Sequence, residues 1–150
     1  MIYISGPITG NKDAKHQFER AETWLLNRFT NSIVNPFYDF AGLEDIIGYS
    51  ALVDVCCRIA AKAEFIVVLP EWENSFGSCS EVLAYLAAGG RTVQQMNSRG
   101  FPACKELIPP CFAGQKSITA ALKNMESHTD VLVDICRQRI RKGPPVSSEK

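Results

Sequence analysis

The stretch ENSFGSCSEVLAYLAAGG, Glu73 to Gly90, carries one carboxylate, Glu81, just after a run of small residues and near the start of what reads as a buried helix. Ser75, Gly77 and Ser78 precede it and leave room for a ligand to approach. A carboxylate so placed has two uses. It fits a capping box, with Ser78 as N-cap and Glu81 reaching back to the cap amide, an arrangement worth about 1 kcal/mol. It also fits a functional carboxylate left uncovered so that a ligand can reach it. Amides at a helix start favour the charged form, so the expected state of Glu81 is the anion. Spacing alone leaves both uses open.

Other residues of the right type gather in three loops. SGPITG (residues 5–10), NPFYDF (residues 35–40) and PEWENSFGS (residues 70–78) each follow a strand-like segment. They supply glycine for close approach, backbone N–H groups, aromatic planes and carboxylates. SGPITG matches neither the phosphate-binding G-x-x-x-x-G-K-[ST] pattern nor G-x-G-x-x-G. It is an ordinary tight turn, or Gly6 lets a sugar or phosphate reach the backbone. Trp72 is a loop anchor against the sheet or a flat surface for a planar ring. Tyr38 and Asp39 are common turn residues in their own right and also candidates for ligand contact.

The elements that must position these groups alternate. IYIS (residues 2–5) reads as a strand. Ala14, Phe18, Ala21, Leu25 and Phe29 recur at steps of three and four, the mark of one helical face. SIVNP (residues 32–36) is a second strand, stopped by Pro36, which opens an irregular loop. Residues 50–63 read as a helix with Leu52, Val55, Cys56, Ile59 and Ala63 on one side. EFIVVLP (residues 64–70) is a continuous β-branched run suited to a strand covered on both faces. The Glu81 helix ends at Gly89–Gly90, a left-handed C-cap, and RTVQQM (residues 91–96) is a fourth strand. This order predicts an α/β fold with a doubly wound, mainly parallel sheet of four to five strands, a Rossmann-like or flavodoxin-like three-layer sandwich. In such sheets ligands bind beyond the carboxyl ends of the strands, where all three loops converge. Residues 97–114 read as loop, followed by helices over residues 117–127 and 130–141. Residues 1–142 form one domain and residues 143–150 a flexible tail.

Bulk properties narrow the function. A formal net charge of +0 argues against a broad surface for a nucleic acid polymer or an acidic membrane. No apolar run reaches the roughly 18–20 residues of a membrane span, and no segment resembles a secretory signal. None of the six cysteines forms a C-x-x-C pair, so reduced, packed thiols in a cytoplasmic protein are expected. Cys104 and Cys111 are a weak zinc candidate with no second ligand pair nearby. The basic run RQRIRK (residues 137–142) is a solvated helix end or, if the fold serves assembly, a partner surface.

MIYISGPITG, VNP and VVLPEWENSFGSCSEVLAYLAAGG together resemble small proteins related to nucleoside 2-deoxyribosyltransferases, over about residues 1–96. The nearest branch is a phage and bacterial one of unassigned function; the wider superfamily includes 2'-deoxynucleoside 5'-monophosphate N-glycosidases. The resemblance implies that Glu81 attacks the anomeric carbon of a nucleoside or nucleotide. It implies that Ser75, Gly77 and Ser78 line the sugar and any 5'-phosphate, and that Tyr3, Ser5, Gly6, Pro7 and Ile8 contact sugar and base. The family's helix before the third strand carries an aspartate that binds or protonates the substrate. Asp54 is the nearest match, although the usual register falls on Cys56. Pro70–Glu71–Trp72 stands where the family pattern has Pro-Gly-Trp. The resemblance further implies a homo-oligomer whose sites borrow residues from a neighbouring subunit, with no metal or organic cofactor. A non-catalytic nucleotide-binding protein that senses or sequesters its ligand remains the alternative.

Overall fold

The computed structural model describes residues 1–97, 102–108 and 118–146. Strands β1 (Ile2–Ser5), β2 (Ile33–Val34), β3 (Phe65–Val68) and β4 (Val93–Met96) alternate with helices. The helices are α1 (Ala14–Leu26), α2 (Pro36–Asp39), α3 (Leu43–Ile47), α4 (Tyr49–Ala60) and α5 (Phe76–Ala87). A 3-10 turn over Trp72–Asn74 leads into α5. β5 (Pro102–Ile108) and the long helix α6 (Ile118–Arg141) follow. The sheet order is β2-β1-β3-β4-β5; the first four strands pair in parallel and β5 adds an antiparallel edge. The doubly wound α/β sandwich expected from the sequence is the fold.

Side chains alternate across the sheet with period two, which sorts the core into two layers. Ile2, Ile4, Val67 and Leu69 face α1, where Phe18, Ala21 and Leu25 are buried. Tyr3, Ile66 and Val68 face the other side and pack on Cys56 of α4, Val82 and Leu86 of α5, and Leu132 and Cys136 of α6. Phe18 and Leu25 are fully buried, each contributing roughly 1.5–3 kcal/mol relative to exposure. The order of β1 and β3 sets the site. The chain leaves β1 toward β2 and returns across it to β3, so the connections diverge between the carboxyl ends of β1 and β3. That divergence opens a crevice.

Several boundaries differ from the sequence reading. Phe29 lies beyond α1, exposed, and meets Phe65 edge-on at 5.3 Å between centroids. Pro36 does not open an irregular loop. It is the first residue of α2, where its missing N–H costs nothing, and the Asn35 side chain caps the turn by accepting from Phe37 N at 3.2 Å. On α4 the buried positions are Val53, Cys56 and Ala60, with Leu52, Val55 and Ile59 half-buried. Residues 97–114, read as loop, contain β5, and the two helices expected near the end are the single helix α6. The expected C-cap holds: Gly89 has φ 93° and Gly90 N donates to Tyr85 O at 2.9 Å. Of the tail, residues 143–146 are described, and Arg139 Nη1 donates to Gly143 O at 2.8 Å.

Candidate active site

A cleft of about 480 Å³ fills the crevice between β1 and β3. Its walls come from the loop after β1 (residues 6–12), from α2 and α3, from the start of α4, and from the start of α5. Arg139 and Pro145 close one side. Gly6 has a packing reason to be glycine: a Cβ there would stand 2.8 Å from Leu69 Cβ. The loop after β1 therefore crosses directly over the end of β3.

Glu81 lies at the inner end of this cleft and is 8% exposed. Its Oε1 accepts from the Tyr3 hydroxyl at 3.0 Å and its Oε2 from the Ser5 hydroxyl at 2.5 Å. Both donors alternate to the same face of β1, and helix α5 packs above that face. The Cys56 thiol of α4 stands near the same carboxylate and favours its charged form. Burial pushes the Glu81 carboxyl up to about 7, and Ser5, Tyr3 and Cys56 pull against that rise. The expected permanently charged, dipole-stabilised carboxylate is thus not what the fold builds. Glu81 is poised near neutrality because desolvation outweighs its donors. The Tyr3 hydroxyl is driven far upward by burial and by Glu81, so it acts only as a donor. Burial and the adjacent carboxylate push the Cys56 thiol up to about 12.

The capping box is absent. The N-cap of α5 is Ser75, not Ser78, and Ser75 Oγ accepts from Ser78 N at 3.3 Å. The helix begins three residues earlier than its apolar pattern indicates, because Phe76 and Gly77 belong to its first turn. Glu81 therefore sits past that turn, out of reach of the cap amide, and points at β1. Ser78 lines the cleft, is 1% exposed, and its Oγ is buried with no hydrogen-bond partner among the described residues.

The remaining candidates separate. Gly6, Pro7, Ile8, Ser75, Gly77 and Ser78 line the cleft, while Tyr3 and Ser5 lie buried beneath it. Asp54 is exposed and outside the cleft lining. Turning Val53, Cys56 and Ala60 toward the core rotates it outward, so Cys56 and not Asp54 faces inward. Asp39 is a structural group: its Oδ2 accepts from Asn35 N at 2.7 Å and closes the α2 turn. Trp72 is 3% exposed and packs in the core, the anchor reading rather than the stacking one. Tyr38 is exposed and donates to Glu19.

Sequence reasoning missed Tyr49 and Arg139. Tyr49 opens α4 and faces the cleft, with its ring 6.4 Å from that of Phe76. Arg139 looked like part of a solvated helix end, yet its Nε donates to Asn74 O at 2.6 Å and its guanidinium lies 6.0 Å from the Phe76 ring. Neither residue belongs to a local motif; only the packing of α4 and α6 on α5 brings them in. Among the described residues no three His, Cys, Asp or Glu side chains are placed to hold a metal ion. Of the zinc candidate Cys104–Cys111, Cys111 lies outside the described residues. No helix among the described residues is long and apolar enough to cross a membrane.

The fold and cleft belong to a family defined by sequence. Residues 1–95 match the model of a domain of unknown function, DUF4406, and the chain is a member of that family. The matched segment holds β1 through most of β4, and with them Tyr3, Ser5, Cys56 and Glu81. Arg139 and α6 lie beyond it. No curated protein and no solved structure gave a match.

Proposed function

We propose that this protein cleaves or transfers at the N-glycosidic bond of a 2'-deoxynucleoside or its 5'-monophosphate, with Glu81 as nucleophile. The observation that carries the reading is the Glu81 carboxylate at the inner end of an open cleft, fixed by Tyr3 and Ser5 and balanced near neutrality. Breaking an N-glycosidic bond builds positive charge at C1'. A carboxylate beside that carbon stabilises the charge and can form a covalent glycosyl ester, which water or a second base then resolves. The resemblance to nucleoside 2-deoxyribosyltransferases supports the same assignment.

A 5'-phosphate has a place in this reading. The α5 start offers backbone amides, and Ser78 Oγ waits there without a partner. Arg139 stands at the mouth on the same side. The reading also makes the active form a cytoplasmic homo-oligomer, checked by sedimentation.

The test is incubation with the four common 2'-deoxynucleosides and their 5'-monophosphates, followed by chromatography for free base. Release that disappears in Glu81→Gln supports the nucleophile; undiminished release in that variant overturns it. A second reading, a nucleotide-binding protein without turnover, is favoured by Asp54 facing away and Cys56 standing in its place. Tight binding with unchanged ligand after long incubation would select it.

A further inference from the structure

Among the described residues the cleft lining holds a nucleophile candidate but no aspartate to assist the departing base. We propose that Tyr49 fills that role, its hydroxyl donating to the leaving base while Glu81 takes the sugar carbon. This rests on the N-glycosidic reading above.

Tyr49 is fixed from two sides. Its backbone follows Gly48, which has φ 84°, and begins α4. Its ring leans on Phe76, and its oxygen lies 3.5 Å from the position of a Cβ built on Gly77. The Gly77 backbone faces that oxygen and eases the rise of its pKa. Among the described residues no acceptor takes the phenolic proton. A bound ligand is the acceptor available in the cleft. Phe76, Gly77 and Glu81 share α5, so the surface that Tyr49 packs against and the Glu81 carboxylate belong to one helix.

The surrounding charges suit a donor. Burial raises the Tyr49 hydroxyl above the usual phenol range; Glu81 and Glu44 raise it too, and Arg139 lowers it. The phenol therefore enters the reaction protonated. As Glu81 forms an ester its negative charge disappears, leaving Arg139 to act on Tyr49 with less opposition. Tyr49 becomes a stronger acid at the moment the base departs. A departing heterocyclic anion is about as basic as a phenolate, so the transfer is nearly balanced. The rival donors are worse placed. The Cys56 thiol is buried and pushed up to about 12, and Glu44 and Glu71 lie exposed at the rim.

The steps close. The C1'–N bond breaks with its electron pair going to the base nitrogen, which takes the Tyr49 proton, while a Glu81 oxygen bonds to C1'. A water molecule then attacks C1', releases the Glu81 carboxylate, and returns one proton to the tyrosinate. The sum is deoxynucleoside plus water giving deoxyribose and free base.

The experiment compares Tyr49→Phe with wild type on the eight natural compounds and on 4-nitrophenyl 2-deoxyriboside, whose leaving group needs no proton. Tyr49→Phe is expected to lose about 10²–10⁴ in kcat on natural compounds with KM little changed, and to keep most turnover of the nitrophenyl compound. Glu81→Gln is expected to lose both. Equal loss on both substrates in Tyr49→Phe, or no loss on either, overturns the role. If wild type releases no base at all, the N-glycosidic reading fails, and calorimetry with the same eight compounds decides for Tyr49. Binding weakened several-fold in Tyr49→Phe keeps the hydrogen-bond donation; equal affinity, or no binding by wild type, overturns it.

Discussion

Tyr3 and Glu81, 78 positions apart in the chain, meet through a 3.0 Å hydrogen bond from the phenol to Oε1. The direction of that bond matters: a donor to a carboxylate favours its charged form. Burial opposes it and prevails, holding the carboxyl at about 7. Tyr3→Phe deletes the donor and leaves the burial. The acid limb of the pH–rate profile for base release should then move upward by about one pH unit, with an unchanged circular dichroism spectrum. An unmoved limb would mean that a group other than Glu81 governs it.

The same carboxyl links folding to pH. Glu81 titrates at about 7 in the folded chain against an ordinary value of 4.5, so the folded state holds the proton more tightly. Its stabilising contribution is complete below 4.5 and is lost as pH rises through about 7. The full loss is roughly 3 kcal/mol, an order-of-magnitude figure. Glu81→Gln cannot ionise and should escape it. Urea unfolding should find the variant more stable than wild type at pH 8, with the gap closing toward pH 5. A constant gap across that range would contradict a buried carboxyl titrating near neutrality.

Ser78 allows stability and binding to be separated. Its buried Oγ has no partner among the described residues, so the unliganded fold bears the cost of desolvating it. Ser78→Ala should leave the melting temperature unchanged or raise it, with a gain of up to about 1 kcal/mol. Affinity for a 5'-monophosphate should fall, while affinity for the matching nucleoside should hold. Loss of stability would show that the hydroxyl is already satisfied.

What the sequence disclosed follows from where its signals are local. The β-branched run at Phe65–Val68 and the spacing of Phe18, Ala21 and Leu25 each report a burial pattern inside one element, and these segments appear as read. Ser75 and Ser78 are both competent caps, so the sequence does not place the start of α5. Only backbone geometry distinguishes them: Ser75 is extended at φ −94°, ψ 123° and its side chain accepts from Ser78 N. That one shift changed Glu81 from a capping residue into a buried carboxyl facing Tyr3 and Ser5. Asp54 attracted attention by residue type, yet the face of α4 is decided by what packs on the sheet, and Cys56 won the inward position. Arg139 carries only the signal of a basic helix end, since its place in the cleft depends on α6 packing against α5.

Glu71 shows a backbone cost that a single substitution can remove. It is the one non-glycine residue with positive φ among the described residues, at 63°, and it lies on the cleft rim just before the Trp72 turn. A left-handed conformation brings Cβ too close to the following carbonyl, at roughly 1–2 kcal/mol for an L-residue other than glycine. Glycine escapes the clash but loses more chain entropy on folding. The balance favours Glu71→Gly by about 1 kcal/mol in urea unfolding. The Asn74 N to Glu71 O bond at 3.0 Å involves backbone only and survives the change. Glu71→Ala is the control, because alanine keeps the Cβ and its clash and should not stabilise. If alanine stabilised as much as glycine, the relief would come from removing the carboxylate from a cleft that already holds Glu44 and Glu81, and the backbone account would be wrong.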